Sequence, residues 1–179
     1  MNSIIFLVEI LFGLLLMAVV LRFWLQAARA DFYNPISQVI VKVTNPLLKP
    51  MQSILPAGQR WNIAALVLAF LVAAAKFLVM FAIVGQAINP AAIAIWAVIS
   101  VVKEFLNLAF WILIIRAILS WFSQGYNPSE QILAQLTEPF LAPIRRLIPP
   151  MGGLDLSVLI AIIAIQFINI LLADMFGPL

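Results

Sequence analysis

The chain has 179 residues, 65% of them hydrophobic and only 9% charged, with a formal net charge of +3. An ordinary soluble domain is about 45–50% apolar and about 25% charged, so this sequence cannot cover a water-facing surface and its natural solvent is a bilayer. It contains no Cys and no His, which excludes disulfides, thiolate metal sites, Cys nucleophiles and the commonest general base, metal ligand and haem ligand.

From the N-terminus, Ile4 to Leu25 is apolar apart from Glu9 and Arg22. As a helix it is about 33 Å long, enough to cross a hydrocarbon core of about 30 Å. Ala28-Arg29-Ala30 offers a weak cleavage pattern, but the run is too long and lacks a basic leader, so a retained span is expected. A polar, proline-punctuated loop follows, from Tyr33-Asn34-Pro35 through Thr44-Asn45-Pro46 and Pro50 to Pro56. Ile63 to Val84 is the second span, interrupted only by Lys76, and Gly85–Asn89 reads as a turn. The next apolar stretch, Ala91 to Phe122, would be about 48 Å long as one helix, too long for an upright span.

The loop then returns, 93 positions later, as Tyr126-Asn127-Pro128, Thr137-Glu138-Pro139, Pro143 and Pro149, with nine identical positions, four of them prolines. This internal repeat fixes the architecture. It divides the long stretch: Lys103 to Phe122 matches the first span, with Arg116 matching Arg22 at an offset of 94. Residues 90–102 are then expected to be an extra interfacial segment or a tilted extension. Gly152-Gly153 reads as a turn before the last span, Leu156 to Phe176. The expectation is an all-α membrane protein with four spans, built as two parallel two-helix repeats over 1–88 and 89–179.

Arg29, Lys42, Lys49 and Arg60 fall in the first loop and Arg145 and Arg146 in the second, while the tails and the middle turn hold no Lys or Arg. The positive-inside rule therefore puts both loops in the cytoplasm and both termini outside. Trp24, Trp61 and Trp121 are expected in the cytoplasmic aromatic belt.

Each loop reads as two short amphipathic helices. Asn34 and Asn127 suit the N-cap, Pro35 and Pro128 the first helical position, and Glu130 the acid of a capping box. Ile36, Val39, Ile40 and Val43 recur at helical spacing, as do Ile132, Leu133 and Leu136. Pro46 and Pro139 are expected to stop that helix and start another. The second helix has Leu47, Leu48, Met51, Ile54 and Leu55, or Phe140, Leu141, Ile144, Leu147 and Ile148, on its apolar side. Lys49, Arg145 and Arg146 lie opposite. Such a helix lies in the headgroup plane with its cations near anionic lipid. The loops either cap the bundle or offer a surface to lipid or a protein partner, drawn from Asn34, Pro35, Lys49, Asn127, Pro128, Thr137, Pro139, Pro143, Arg145 and Arg146.

Ionisable groups at membrane depth are functional suspects by default. Arg22 and Arg116 lie near a helix end and can snorkel. Glu9, Lys76, Lys103 and Glu104, joined by Asn107 and Asn169, can instead form a net-neutral intramembrane cluster. Lys76 is expected to pair with Glu9 or Glu104, and Lys103 with the other carboxylate. The cluster serves architecture, or an ion or proton path, or its Lys103 part lies at the outer interface. A dry, paired cluster beneath an exposed loop surface favours a scaffold, and a water-lined gap reaching it favours a channel. No phosphate-binding Gly-rich loop and no metal-ligand spacing occurs, and no Ser has a His partner.

The run Arg29-Ala30-Asp31-Phe32-Tyr33-Asn34-Pro35, the segment Thr137 to Arg146 and the following Pro149 resemble the YGGT family of small bacterial and plastid inner-membrane proteins. The resemblance spans both repeats. The first copy departs from the pattern, with Lys49, Gln52 and Ser53 where the second has Ala142, Arg145 and Arg146, and Asn62 where the second has Asp155. The resemblance implies no enzyme and no cofactor. It implies a role in extracytoplasmic or osmotic stress, acting through protein or lipid contacts. Division machinery and the maturation of membrane cytochromes are the other family associations, though a chain without His cannot ligate haem in the usual way. A small ion channel or transport modulator is the alternative. Expected partners are anionic lipid headgroups, a protein, or a second copy in a homo-oligomer; no nucleic-acid partner is expected.

Overall fold

The computed structural model describes residues 3–55, 58, 61–122, 127–148 and 156–177, with backbone alone for 120–122. Pro56, Arg60, Tyr126, Pro149, Gly152, Gly153, Asp155 and the Trp121 side chain therefore lie outside the described residues. The described residues form six helices: α1 (Ser3–Ala27), α2 (Pro35–Gln52), α3 (Ile63–Val84), α4 (Pro90–Phe122), α5 (Pro128–Leu147) and α6 (Leu156–Phe176). No strand occurs among them. Four helices, α1, α3, α4 and α6, are long and apolar enough to cross a membrane. The protein is an all-α membrane protein with four spanning helices.

Local chemistry sets the helix ends. Arg29 takes a left-handed φ of 53° just past α1, a role Gly usually fills, and Ala30 N–H donates to Leu25 O at 2.9 Å. Asn62 caps α3 by accepting from Ala65 N at 3.0 Å, and Gly85 ends it at φ 71°. Asn89 Oδ1 accepts from Ala91 N at 3.1 Å, with Pro90 in the first turn of α4. Asn89-Pro90 is thus a third Asn-Pro helix start, where the sequence suggests only a turn.

Residues 90–102 are continuous with 103–122 in one 33-residue helix. At about 1.5 Å per residue α4 is about 50 Å long, so it must tilt or project beyond the hydrocarbon. Its first half is packed: Ile93, Ala97, Ile99 and Ser100 are buried, and Trp96 lies 6.4 Å from the Phe77 ring.

The core lies where α1, α3 and α4 meet. Ala64, Ala65, Ala69, Val72 and Ala73 of α3 are buried with Leu16, Val19 and Val20 of α1. Small residues matter here because lipid supplies no hydrophobic drive for helix association, so close dispersion contact must. α6 is peripheral, with only Ser157 and Ala161 buried among its described side chains.

The loop segments differ from expectation. Each is one helix, with Pro46 and Pro50 inside α2 and Pro139 and Pro143 inside α5. All four prolines are exposed, whereas Thr44, Leu48, Thr137 and Leu141 on the inner faces are buried. A mid-helix Pro frees a backbone carbonyl and bends the chain. At these exposed positions the freed carbonyls are not sealed in a packed core, while the packing of Thr44, Leu48, Thr137 and Leu141 holds each helix together. Trp24 is also not in a belt. It is buried, with its ring 4.5 Å from Phe105 and 5.7 Å from Phe140.

Candidate functional site

Two groups of residues stand out, one at the loop end of the bundle and one between the spanning helices. At the loop end, α2 and α5 start side by side. Asn34 Oδ1 accepts from Ile36 N at 3.0 Å while its Nδ2 donates to Pro128 O at 2.7 Å. Asp31 N donates to Gln135 Oε1 at 3.0 Å. Asn127 Oδ1 accepts from Ser129 N at 3.0 Å. Both Asn-Pro starts therefore lie at the same end of the molecule, α1 and α4 run towards it, and the two halves have the same direction through the membrane.

On α5, Thr137 Oγ1 donates to Leu133 O at 2.7 Å and accepts from Arg116 Nη1. Arg116 Nη2 lies 3.5 Å from Glu138 Oε2, and Arg145 Nη1 lies 2.8 Å from Glu138 Oε1. The two arginines thus bracket Glu138, and Arg116 ties α5 to α4. Arg22 has no such acid. Its Cζ lies 4.9 Å from the Phe32 ring centroid, and its Nε and Nη1 are buried without a hydrogen-bond partner.

Of the residues expected on a loop surface, Pro35, Lys49, Pro128, Pro139, Pro143 and Arg146 are exposed. Asn34 and Thr137 are buried, and Arg145 is committed to Glu138. These three position the helices and do not themselves form the surface. Pro35 and Pro128 open their helices. The capping box expected from Glu130 is not formed: Glu130 Oε1 is buried and has no hydrogen-bond partner. The roles of Gln135 and Asp31 escape a sequence reading because they are 104 positions apart in the chain, and that of Glu138 because one of its two arginines comes from another helix.

α2 has three faces. Ser37, Thr44 and Leu48 face the bundle; Ile36, Val39, Val43 and Leu47 form an exposed apolar stripe; Lys42 and Lys49 are exposed on the remaining side. Beneath α5, a largely apolar cavity of about 440 Å³ runs between Pro139, Phe140, Pro143 and Ile144 and the α6 residues Ala161 and Ile165.

The second group surrounds a cavity of about 310 Å³ lined by Gly13 and Leu16 of α1, Lys76 of α3, Ser100, Lys103, Glu104 and Asn107 of α4, and Asn169 of α6. Five of the six expected cluster residues meet there. Glu9 does not line it but lies one turn from Gly13 on α1. No ion pair within 4.0 Å joins Lys76 or Lys103 to Glu9 or Glu104, so the expected pairing does not form. Lys76 Nζ instead lies 5.6 Å from the Phe77 ring centroid. The groups instead surround a shared space, Lys76 from α3, Asn169 from α6 and Ser100, Lys103, Glu104 and Asn107 from α4. Ser100 joins the expected residues: 100, 103, 104 and 107 follow the i, i+3, i+4, i+7 pattern and form one polar stripe on an apolar helix. Lysines here are costly, at about 2.5–3.5 kcal/mol each at the centre of a span.

No group of three or more metal-ligating side chains occurs among the described residues. No solved structure is significantly similar to this chain. A protein from the proC 3′ region of Vibrio alginolyticus is 49% identical over 181 residues, covering 100% of this chain and 98% of the relative. The YggT protein of Escherichia coli K12 is 40% identical over 176 residues, covering 97% of this chain and 91% of its own length. The chloroplastic YlmG homolog protein 2 of Arabidopsis thaliana is 38% identical over 63 residues, which is 35% of this chain and 25% of that protein. The CCB3/YggT family model matches residues 1–83 and again 95–176, one match for each half. This chain belongs to the CCB3/YggT family.

Proposed function

We propose that this protein is a non-enzymatic inner-membrane protein that acts in the response to extracytoplasmic, osmotic stress through its two amphipathic loop helices. They lie at the cytoplasmic face and engage anionic headgroups and a protein partner. The observation that carries this reading is the three-faced α2, which turns the stripe Ile36, Val39, Val43 and Leu47 and the cations Lys42 and Lys49 away from the bundle. A helix with this pattern lies in the interface with its apolar face in the acyl region and its cations among phosphates. The 440 Å³ apolar cavity under α5 adds room for an acyl chain, and Arg146 of the same helix is exposed.

Photocrosslinkers at Lys49 and Arg146, used in cells before and after hyperosmotic shock, test this. The expected result is crosslinks to lipid and to one protein, together with loss of stress survival when Lys42, Lys49 and Arg146 are reversed to Glu. Unchanged survival with no specific crosslink overturns it. Cysteines at Ile54 and Asn89 test the orientation, and an impermeant thiol reagent on intact cells is expected to label Asn89→Cys alone.

A second reading, a small ion channel or transport modulator, draws on the polar cavity among the spanning helices. Ion flux into vesicles containing the purified protein, lost on Lys103→Met, is its expected signature.

A further inference from the structure

We propose that the cavity between the four spanning helices is a binding site for a phosphate oxyanion, presented as free phosphate or as a lipid phosphodiester. The site and the loop helices are separate parts of the molecule, so each fails or stands without the other. Lys76 and Lys103 bring two positive charges to the lining and Glu104 one negative charge. A singly charged anion balances the remainder. Neither lysine is neutralised by an ion pair within 4.0 Å. Ser100, Asn107 and Asn169 add neutral donors on α4 and α6, so hydrogen-bonding capacity converges from three helices.

The cavity is also large enough for a polyatomic anion. The cavity, about 310 Å³, has room for about ten waters at about 30 Å³ each. A monatomic anion would leave most of these donors to water. A tetrahedral oxyanion offers acceptors in several directions, and charge-assisted bonds from two ammonium groups are the strong kind. The site lies about 12 Å along α3 from its Val84 end. Free phosphate would enter from that side, and a lipid phosphodiester would leave its acyl chains outside the bundle beside the peripheral α6.

The full-length protein is reconstituted in phosphatidylcholine nanodiscs in chloride buffer. In one arm, equilibrium dialysis measures radiolabelled inorganic phosphate. In the other, phosphatidylglycerol is mixed into the discs, and the lipid retained on extraction into detergent is counted by mass spectrometry. Saturable binding in the first arm identifies free phosphate as the ligand source, and preferential retention in the second identifies the lipid. In the arm that binds, Lys76→Met and Lys103→Met are each expected to weaken binding about tenfold or more. Glu104→Gln is expected to tighten it, because it removes the only like charge in the lining. Should a Met variant fail to insert, Glu104→Gln carries the test, since its expected change is a gain. No binding in either arm overturns the proposal, as does binding that both lysine variants leave unchanged. Weaker binding in Glu104→Gln also overturns it and marks a cation site.

Discussion

The loop helices α2 and α5 descend from one repeat, yet they are buried differently. Leu48 and Leu141 are equivalent and both buried, at 1% and 0% exposure. Towards the helix N-termini the copies part: Val39 and Val43 are 60% and 53% exposed, while their counterparts Ile132 and Leu136 are each 2% exposed. The cause is the neighbour. Ile132 and Leu136 share a core with Trp24, Leu25 and Ala30 at and just past the end of α1, and Asp31 and Asn34 bond across to α5. The arginines diverge in the same way, with Arg116 held by Glu138 and Arg22 resting on Phe32. A duplicated sequence therefore gives two copies of a helix but not two copies of an environment. The first copy is left with the surface, and the second carries the connection between halves.

The sharpest way to break this comparison is a matched pair of truncations. Ile132→Ala is expected to cost about 2–5 kcal/mol, as buried Ile-to-Ala changes do, while Val39→Ala stays within about 0.5 kcal/mol. Unfolding of each variant in mixed micelles measures both, and equal losses would show that α2 is packed like α5. A smaller effect is expected from the caps. Asn34→Ala loses a cap and the bond to Pro128, so it should cost about 1–2 kcal/mol; Asn127→Ala loses only the cap, about 1 kcal/mol. Thermal denaturation in detergent ranks them, and the reverse order would remove Asn34 as the link between halves. The smallest effect belongs to Glu138→Gln. Its carboxylate side chain is 47% exposed, so the loss should stay below about 1 kcal/mol and shrink further at high salt. A loss that salt does not change would mean that the arginine bracket works by packing.

The spans were legible because an apolar run long enough to cross lipid has few other solutions: the expected limits 63–84 and 156–176 are those of α3 and α6. The caps at Asn34 and Asn127 were legible because an Asn-Pro start acts within one turn. Pro46 and Pro139 misled, since their effect depends on which face they occupy. The cluster was legible as a set of costly residues at similar depth. Its unpaired, open arrangement was not, because that depends on interhelical distances which no spacing along one helix records.

The sequence by itself determined the solvent, the four spans, the repeat and the common direction of its halves, all consequences of local hydropathy and of an even number of spans per unit. Tertiary structure alone decided that the first half covers α5 and not the α2 stripe, that Arg116 and not Arg22 finds an acid, and that Lys76, Lys103 and Glu104 line a cavity without closing it. Each of these turns on a distance between segments far apart in the chain, and such distances are fixed only when the helices pack.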